Sequence, residues 1–406
     1  MTIAKGVFKT TRIKRQSAKG SLAGATLGQI LRREKSMFEL AKETYTTESE
    51  ITSVQQVKSS RHGVRIVNGS IDGILSPGTY SDPLSAILRR DFAAVTAITA
   101  MSITVAGAGP TFTVTRAAGD FLTGGIKVGM VVRLTAGSFN AANLNKNLLV
   151  ISVTALVVTV MPLNGVALFA EGPIASATMT VPGKVTYAEN TGHTNIYHTV
   201  EEWYSDTSVS ERNIDVKFLK ADVAVPGSGN ATIKFSATGL DQTKDVTAYF
   251  TSPAAETTSD VLTAASGLLI VNGTAIAVVT DLSFTLDGKG DPAKPVVGAN
   301  IRPDVFMGNL NVSGSFTAYF ESGTLPDLFL NETATSLVSA LSSNTTAAAE
   351  FISWSMSNVR LNSATPDDNQ TGLTRTYSFV ALYNGSGGAA LANQATTIQV
   401  QDSLAA

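Results

Sequence analysis

Hydrophobic and polar residues alternate in steps of two along most of this chain, and Gly, Pro, Ser and Thr break the alternation at short intervals. Side chains on a β-strand point to opposite faces in turn, so the pattern predicts half-buried strands joined by tight turns. Residues 63–75 are an example, with Val64, Ile66, Ser70, Asp72 and Ile74 in even steps. The turn Ser76-Pro77-Gly78 follows, and Ser81 or Asp82 is placed to cap a short helix with Pro83 at its first position. Leu84, Ile87, Leu88 and Phe92 then fall at helical spacing and form one apolar stripe, with Arg89, Arg90 and Asp91 facing out.

This pattern occurs twice. Asn68-Gly-Ser-Ile-Asp-Gly-Ile-Leu-Ser-Pro-Gly-Thr-Tyr is echoed by Ser313-Gly-Ser-Phe-Thr-Ala-Tyr-Phe-Glu-Ser-Gly-Thr-Leu. In both, a Gly-Ser opens an alternating strand, a Gly-Thr turn closes it and a short amphipathic segment follows, which points to two copies of one building unit. The first copy is expected to hold an extended strand or the start of a long hairpin at 43–59, the strand 63–75 and its helix. It continues with strands at 197–204, 214–225 and 231–237, the last two a hairpin with Val216, Phe218 and Lys220 against Ile233, Phe235 and Ala237. The second copy runs in the same order, with strands at 275–287, 306–320, 337–341, 351–361 and 374–383 and a helical turn or two at 326–332.

Between residues 97 and 181 the texture changes. Asp120 and Glu171 are the only acids, glycines are frequent, and short strands (101–105, 111–115, 130–134, 148–153, 157–161) recur about every ten residues. That rhythm suggests a small barrel or sandwich inserted in the first copy. The expected organisation is a basic N-terminal arm at 1–42, a discontinuous first unit at 43–96 and 182–250, the inserted domain at 97–181, a linker at 251–265 and the second unit at 266–406. The fold class is mainly β: two tandem units, each with a short flanking α-helix, plus a small inserted β-barrel or sandwich.

Composition narrows the function. Charged residues make up 15% of the 406 positions, and there is no cysteine, so disulfides and thiolate metal sites are excluded. No apolar run is long enough to span a bilayer, and the N-terminus shows no secretion signal, so a cytoplasmic origin is expected. Residues 1–35 carry nine of the 30 basic residues and one acid, leaving the body with a charge of about −10. A basic segment on an acidic body suits nucleic-acid contact or head-to-tail self-association. The interleaved Val7, Phe8, Ile13, Leu22, Leu27, Ile30 and Leu31 favour self-association.

Candidate chemistry is sparse. His193, His198, Glu201 and Glu202 form the only metal-like cluster; on a strand His198 and Glu202 share a face while His193 lies opposite, and a polar sheet face is the better reading. Asp287 with Asp291, and Asp367 with Asp368, sit in turns, where Asp serves the backbone rather than glycosidase chemistry. Several Asn-x-Ser/Thr triplets, those at Asn68, Asn230 and Asn369 among them, are expected by chance in so Thr/Ser-rich a chain. Tyr45, Tyr204, Phe218 and Phe235 read as packing residues. Neither an enzymatic activity nor a cofactor is expected.

The run Gly69-Ser-Ile-Asp-Gly-Ile-Leu-Ser-Pro-Gly-Thr-Tyr resembles the tail tube (major tail) proteins of long-tailed bacteriophages. The opening Phe8-Lys-Thr-Thr-Arg-Ile-Lys-Arg, Leu31-Arg-Arg, Glu201-Glu-Trp-Tyr and the Asp215-Val-Lys-Phe-Leu hairpin extend the resemblance, and Gly119-Asp-Phe-Leu with Val128-Gly-Met-Val-Val-Arg is similar to a domain often inserted in such proteins. The resemblance implies β-sandwich units assembled into rings that stack into a tube passing DNA without specific binding. It also implies neighbouring tail proteins as partners (tape measure, tail terminator, distal tail or baseplate proteins), no membrane contact, and a place in the virion tail. Two units per chain give a trimeric, pseudo-hexameric ring, with Phe8, Lys9, Arg12, Lys14, Arg15, Arg32 and Arg33 expected at the contact between rings and the inserted domain expected to be dispensable for assembly. The alternative is a surface or secreted β-sandwich binding protein such as a carbohydrate adhesin.

Overall fold

The computed structural model describes residues 3–51, 53–54, 56–276, 278–368 and 372–406. Of the segments expected above, 43–59 at residues 52 and 55, 275–287 at residue 277 and the Asn369 triplet lie outside the described residues. The first copy opens with β1 (Lys9–Arg15), β2 (Gln29–Ile30), β3 (Lys35–Thr46), β4 (Ser60–Ile74) and α1 (Ser81–Leu88). The insert contributes β5 (Ile98–Ala108), β6 (Thr111–Arg116), β7 (Val131–Ala136), β8 (Leu148–Val153), β9 (Val157–Pro162) and β10 (Glu171–Thr180). The first copy resumes with β11 (Lys184–Tyr187), β12 (His198–Tyr204), β13 (Val209–Pro226), β14 (Thr232–Gly239) and β15 (Asp241–Asp245). The second copy comprises β16 (Gly267–Val271), β17 (Thr274–Ala275), β18 (Val279–Asp287), β19 (Asp291–Pro292), β20 (Val305–Phe306), β21 (Asn311–Tyr319), α2 (Thr324–Leu330), β22 (Thr335–Ser342), β23 (Phe351–Pro366), β24 (Thr374–Ala381) and β25 (Gln399–Asp402).

The two copies share their strand pairing residue by residue. Phe38 lies opposite Gly69 on β3–β4, as Phe284 lies opposite Gly314 on β18–β21. Gly69 faces Ala237, which faces Phe218; Gly314 faces Phe379, which faces Leu361. In both copies the long strand is then bulged by one residue, between Phe218 and Lys220 and between Leu361 and Ser363. A second matching irregularity falls between His198 and Val200 and between Thr335 and Leu337. Bulges re-aim side chains and pin register, so finding both at equivalent places marks one fold used twice. The glycine of each Gly-Ser echo is now explained: a Cβ on Gly69 would stand 2.2 Å from the Phe38 ring, and one on Gly314 would stand 2.7 Å from the Phe284 Cβ.

Several sequence expectations shift. The strand or hairpin start expected at 43–59 is the end of β3, which begins at Lys35 and pairs antiparallel with β4. The segment expected as an arm at 1–42 is, over its described residues, paired into the fold: β1 pairs along its whole length with β12, and β3 pairs with β4. The apolar residues interleaved with the basic ones are the cause: Ile13 and Leu31 are buried in the main core. Helix α1 begins earlier than expected: Ser81 is its first residue and Pro83 its third, and the N-cap is Tyr80, whose hydroxyl donates to Arg32 O and makes no capping hydrogen bond. The Asp82 carboxylate pairs with Arg15 and His198. The 214–225/231–237 hairpin forms as β13–β14, but the bulge puts Ala221 opposite Phe235 and Val223 opposite Ile233 and turns Lys220 to the other face. The 251–265 segment is pinned, with backbone hydrogen bonds at Thr251 and Ala254 to residues 25–30 and at Leu262 to Leu75 and Ala231.

Each unit is a β-sandwich. One sheet runs unbroken through both copies in the order β3-β4-β14-β13-β18-β21-β24-β23. Its inner face carries Phe38, Ile71, Phe235, Val223, Phe284, Phe316, Phe379 and Leu361 into a single core shared by the copies. The N-terminal halves of β13 and β23 bend away from it and build the opposing layers, with β1, β12 and β15 in the first copy and β16, β22 and β25 in the second. No helix of the described residues is long and apolar enough to cross a membrane.

The insert is a closed six-stranded barrel, β10-β5-β6-β9-β8-β7, filled by residues such as Ile103, Val105, Val114, Leu134, Val150, Val158, Val160 and Met179. It leaves and rejoins the first copy yet docks on the second. Val131 and Leu149 pack against Ile270, Val338, Ala340 and Phe351. Lys127 Nζ donates to the carbonyls of Gly388, Ala389 and Leu391 at 2.5–2.8 Å. The Gln401 amide accepts from Val131 N and donates to Val131 O and Pro182 O. Strand β22 is therefore buried on both faces, with Leu337 and Leu341 toward the main core and Val338 and Ala340 toward the barrel.

Replacing residues 97–181 by a short linker should thus uncover Ile270, Val338 and Phe351 and cost on the order of 5 kcal/mol, at roughly 1.5–3 kcal/mol per large apolar side chain. Thermal denaturation and binding of an apolar dye check this; an unchanged Tm without dye binding would show that the barrel is dispensable.

Candidate assembly surfaces

The through-sheet has one face on the core and the other uncovered. Strand alternation turns Ser70, Ser236, Ser283, Thr285, Ser313, Ser315, Thr317, Thr376 and Ser378 to the uncovered face, because their neighbours in sequence are the core residues. Their hydroxyls pair across strands: Ser283 with Ser315 at 3.3 Å, Thr317 with Thr376 at 2.9 Å and Ser363 with Ser378 at 2.6 Å, while Thr285 donates to Asp222 at 2.5 Å. Lys35, Lys220, Lys234 and Arg360 stand among Glu39, Asp72, Asp222, Asp281 and Asp287, so the face is close to neutral and slightly acidic. Between β13 and β24 it dips into a shallow concavity of about 560 Å3.

The opposing layer of the first copy buries an unusual number of charges. On β12, Glu201 is wholly buried; Arg12 Nη1 lies 3.3 Å away and also donates to Phe250 O. Glu201 further accepts from Ser210 Oγ, Tyr249 N and Phe250 N. Glu202 turns to the other face, where Lys9 Nζ and Ser36 Oγ each donate at 2.8 Å; burial pushes its pKa up against the pull of the Lys9 ammonium. His198 Nε2 is 2.9 Å from Asp82, which also pairs with Arg15. The cluster read as metal-like is thus divided among separate partners, and no group of three His, Asp or Glu side chains among the described residues could hold a metal ion.

The register equates Glu201 with Val338. One sheet face is covered in two ways: by ion-paired and hydrogen-bonded chain in the first copy, and by the apolar flank of the barrel in the second.

The residues expected between rings are mostly engaged within the chain. Lys9 and Arg12 hold Glu202 and Glu201, and Arg15 bridges Asp82 and Asp91. Lys14 Nζ donates to Gly24 O and Thr26 O, Arg32 to Ser259 O and Arg33 to Lys9 O. Phe8 stays 47% exposed beside Val7 at 90%.

The sequence reading missed Asp402. Its carboxylate accepts from Gly78 N with both oxygens, at 2.8 and 3.0 Å, and from Leu404 N at 2.9 Å, tying the last strand of the second copy to the turn before α1 of the first. Burial, only partly offset by those N–H donors, pushes its pKa from 3.8 up to about 6. No motif announces this residue; its one sequence signal is the alternating Ile398-Gln-Val-Gln-Asp run that predicts a strand.

A family model described as phage tail tube protein matches residues 13–381. None of the curated proteins matches the chain.

Two measurements probe these contacts. Arg12→Ala leaves Glu201 buried without its counter-charge and should cost about 3–5 kcal/mol, whereas Lys289→Ala, at an exposed pair with Asp287, should cost no more than about 1 kcal/mol; equal losses in denaturant titrations would refute the distinction. For Asp402, the folded state holds the proton more tightly than the unfolded chain, so its contribution to stability rises as pH falls from above 6 to below 4. Asp402→Asn removes that slope. Its stability relative to the natural chain should be highest at pH 7.5 and decline by pH 4; a difference constant across that range would sink the assignment.

Proposed function

The chain belongs to the phage tail tube protein family and is a structural component of a phage tail; from that premise we propose that it self-assembles into stacked rings of three chains whose bore passes DNA to the host. The observation that carries this reading is the uncovered, hydroxyl-lined face of a sheet that continues through both copies. A duplex carries about one negative charge per 1.7 Å and binds cationic surfaces tightly regardless of sequence. A near-neutral wall of Ser and Thr, slightly acidic and readily wetted, holds no phosphate and can let the duplex slide. The duplicated unit supports the count of three, since each chain would fill two of six equivalent places.

The contact between rings is proposed at Phe8, Lys9, Arg12, Lys14, Arg15, Arg32 and Arg33, and the exposed Phe8 beside Val7 offers it an apolar surface. Ring-to-ring stacking is head-to-tail and does not close, so it grows a tube. The tube's ends would meet the tape measure, the tail terminator and the distal tail or baseplate proteins, after assembly in the host cytoplasm. No catalytic role is proposed. An adhesin reading finds little support, because Trp354 is wholly buried and Trp203 packs beside Arg12.

Negative-stain microscopy with native mass measurement should show tubes or rings of three chains; rings of six chains would refute the duplication argument. In assembled tails, Ser283→Lys with Ser315→Lys should preserve tubes but reduce DNA delivery at least tenfold, most strongly at low salt. Unchanged delivery would contradict the assignment of this face to the bore.

A further inference from the structure

The through-sheet ends at two uncovered edges. Among the described residues, no strand pairs with the outer edge of β3, and none with the outer edge of the C-terminal half of β23. Inside the chain, the equivalents of these two edges are already joined: β13 corresponds to β23 and β18 to β3, and β13 pairs with β18 from Lys220↔Asp287 to Pro226↔Asp281. The chain therefore contains a worked example of the contact its own free edges can make.

Resting on the ring reading above, we propose that β23 of one chain adds to β3 of a second copy in the register of the β13–β18 seam. The pairing of Ala237 and Phe379 with their neighbours equates Ala221 with Ala364, Asp222 with Thr365 and Val223 with Pro366. The facing glycines equate Phe284 with Phe38, Thr285 with Glu39 and Leu286 with Leu40. The seam between chains then places Ala364 opposite Leu40, Thr365 opposite Glu39 and Pro366 opposite Phe38.

The side chains fit this register. On the core face, Ala221 beside Leu286 becomes Ala364 beside Leu40, and Phe284 becomes Phe38. On the open face, Thr285 donates to Asp222 across the internal seam; the new seam has a hydroxyl at Thr365 and a carboxylate at Glu39, the same pair with the strands exchanged. The backbone is correctly turned as well. Asp367 N donates to Thr374 O, so by alternation Ala364 and Pro366 point away from β24, toward the open edge. Pro366 offers only its carbonyl there, as expected of proline on an edge strand.

The internal seam has a second pairing that the new one lacks. Strand β11, from the first copy, lies against β25 of the second. Between α2 and β22 there are only residues 331–334, too few for an equivalent strand. Contacts between chains are thus the weaker of two alternating kinds, and rings should come apart into whole chains.

The natural chain has no cysteine, which makes cross-linking clean. Thr365 and Glu39 would form a non-hydrogen-bonded pair with Cα atoms about 4.5 Å apart, within reach of a disulfide. Glu39→Cys with Thr365→Cys should give, on mild oxidation, a covalent ladder ending at three chains. Its yield should be at least tenfold above that of Ala41→Cys with Thr365→Cys, which is two residues out of register. Ala364→Pro, which removes an outward N–H and no bond within the chain, should leave circular dichroism unchanged and prevent ring formation. Tubes that form without the Glu39–Thr365 cross-link, that cross-link equally out of register, or that survive Ala364→Pro would overturn the seam while leaving the tail-tube reading intact. Monomers of the natural chain at every concentration would overturn both.

Discussion

Main-chain hydrogen bonding between β13 and β18 is the interaction on which the rest of this molecule depends. It makes one sheet out of two copies, so the copies share a core in which Phe218 and Phe235 of the first are continuous with Phe284, Phe316 and Trp354 of the second. It also fixes what each face of the sheet must be. The inner face, closed by the bent halves of β13 and β23, has to be apolar, while the outer face keeps water and carries Ser and Thr. A sheet edge left unpaired invites another strand, and joining the copies internally removes two of the four edges that separate copies would expose.

The same sheet position can be buried by different chemistry, as Glu201 and Val338 show. Burying a carboxylate is tolerable only because Arg12 and three donors surround it, each brought from elsewhere in the chain. Burying Val338 requires only a second apolar surface, which Val131 and Leu149 of the barrel provide. The barrel is therefore less an ornament on the first copy than a cover for the second. Lys127, Gln401 and Asp402 fasten the covering domain and the chain's end with hydrogen bonds to the backbone.

Much of this was legible in the sequence because it rests on local alternation. The Gly-Ser echoes, the β13–β14 hairpin and five of the barrel's strands follow from period-two patterning and turn residues. What stayed hidden depends on partners distant in sequence. Nothing near Glu201 announces that Arg12, 189 residues away, will neutralise it. Clustered basic residues likewise masked the strand character of 9–15, where Thr11 and Ile13 are fully inside. The bulge at Leu219 shifted a hairpin whose strands were otherwise correctly placed; its mark in the sequence is a change of phase, from Val216 and Phe218 to Ala221, Val223 and Val225, which an unbroken period-two pattern runs across.

Carrying two copies on one polypeptide has a consequence for how assembly starts. Each free association sacrifices translational and rotational freedom, worth roughly 4–15 kcal/mol at standard concentration. A seam built during folding is formed at an effective concentration set by the tether, not by the number of molecules in the cell. If three such chains close a ring, two encounters suffice where six unlinked units would need five, and the critical concentration for nucleating a ring falls accordingly. The link between the copies, pinned along residues 251–262, is in that sense a kinetic element as much as a structural one.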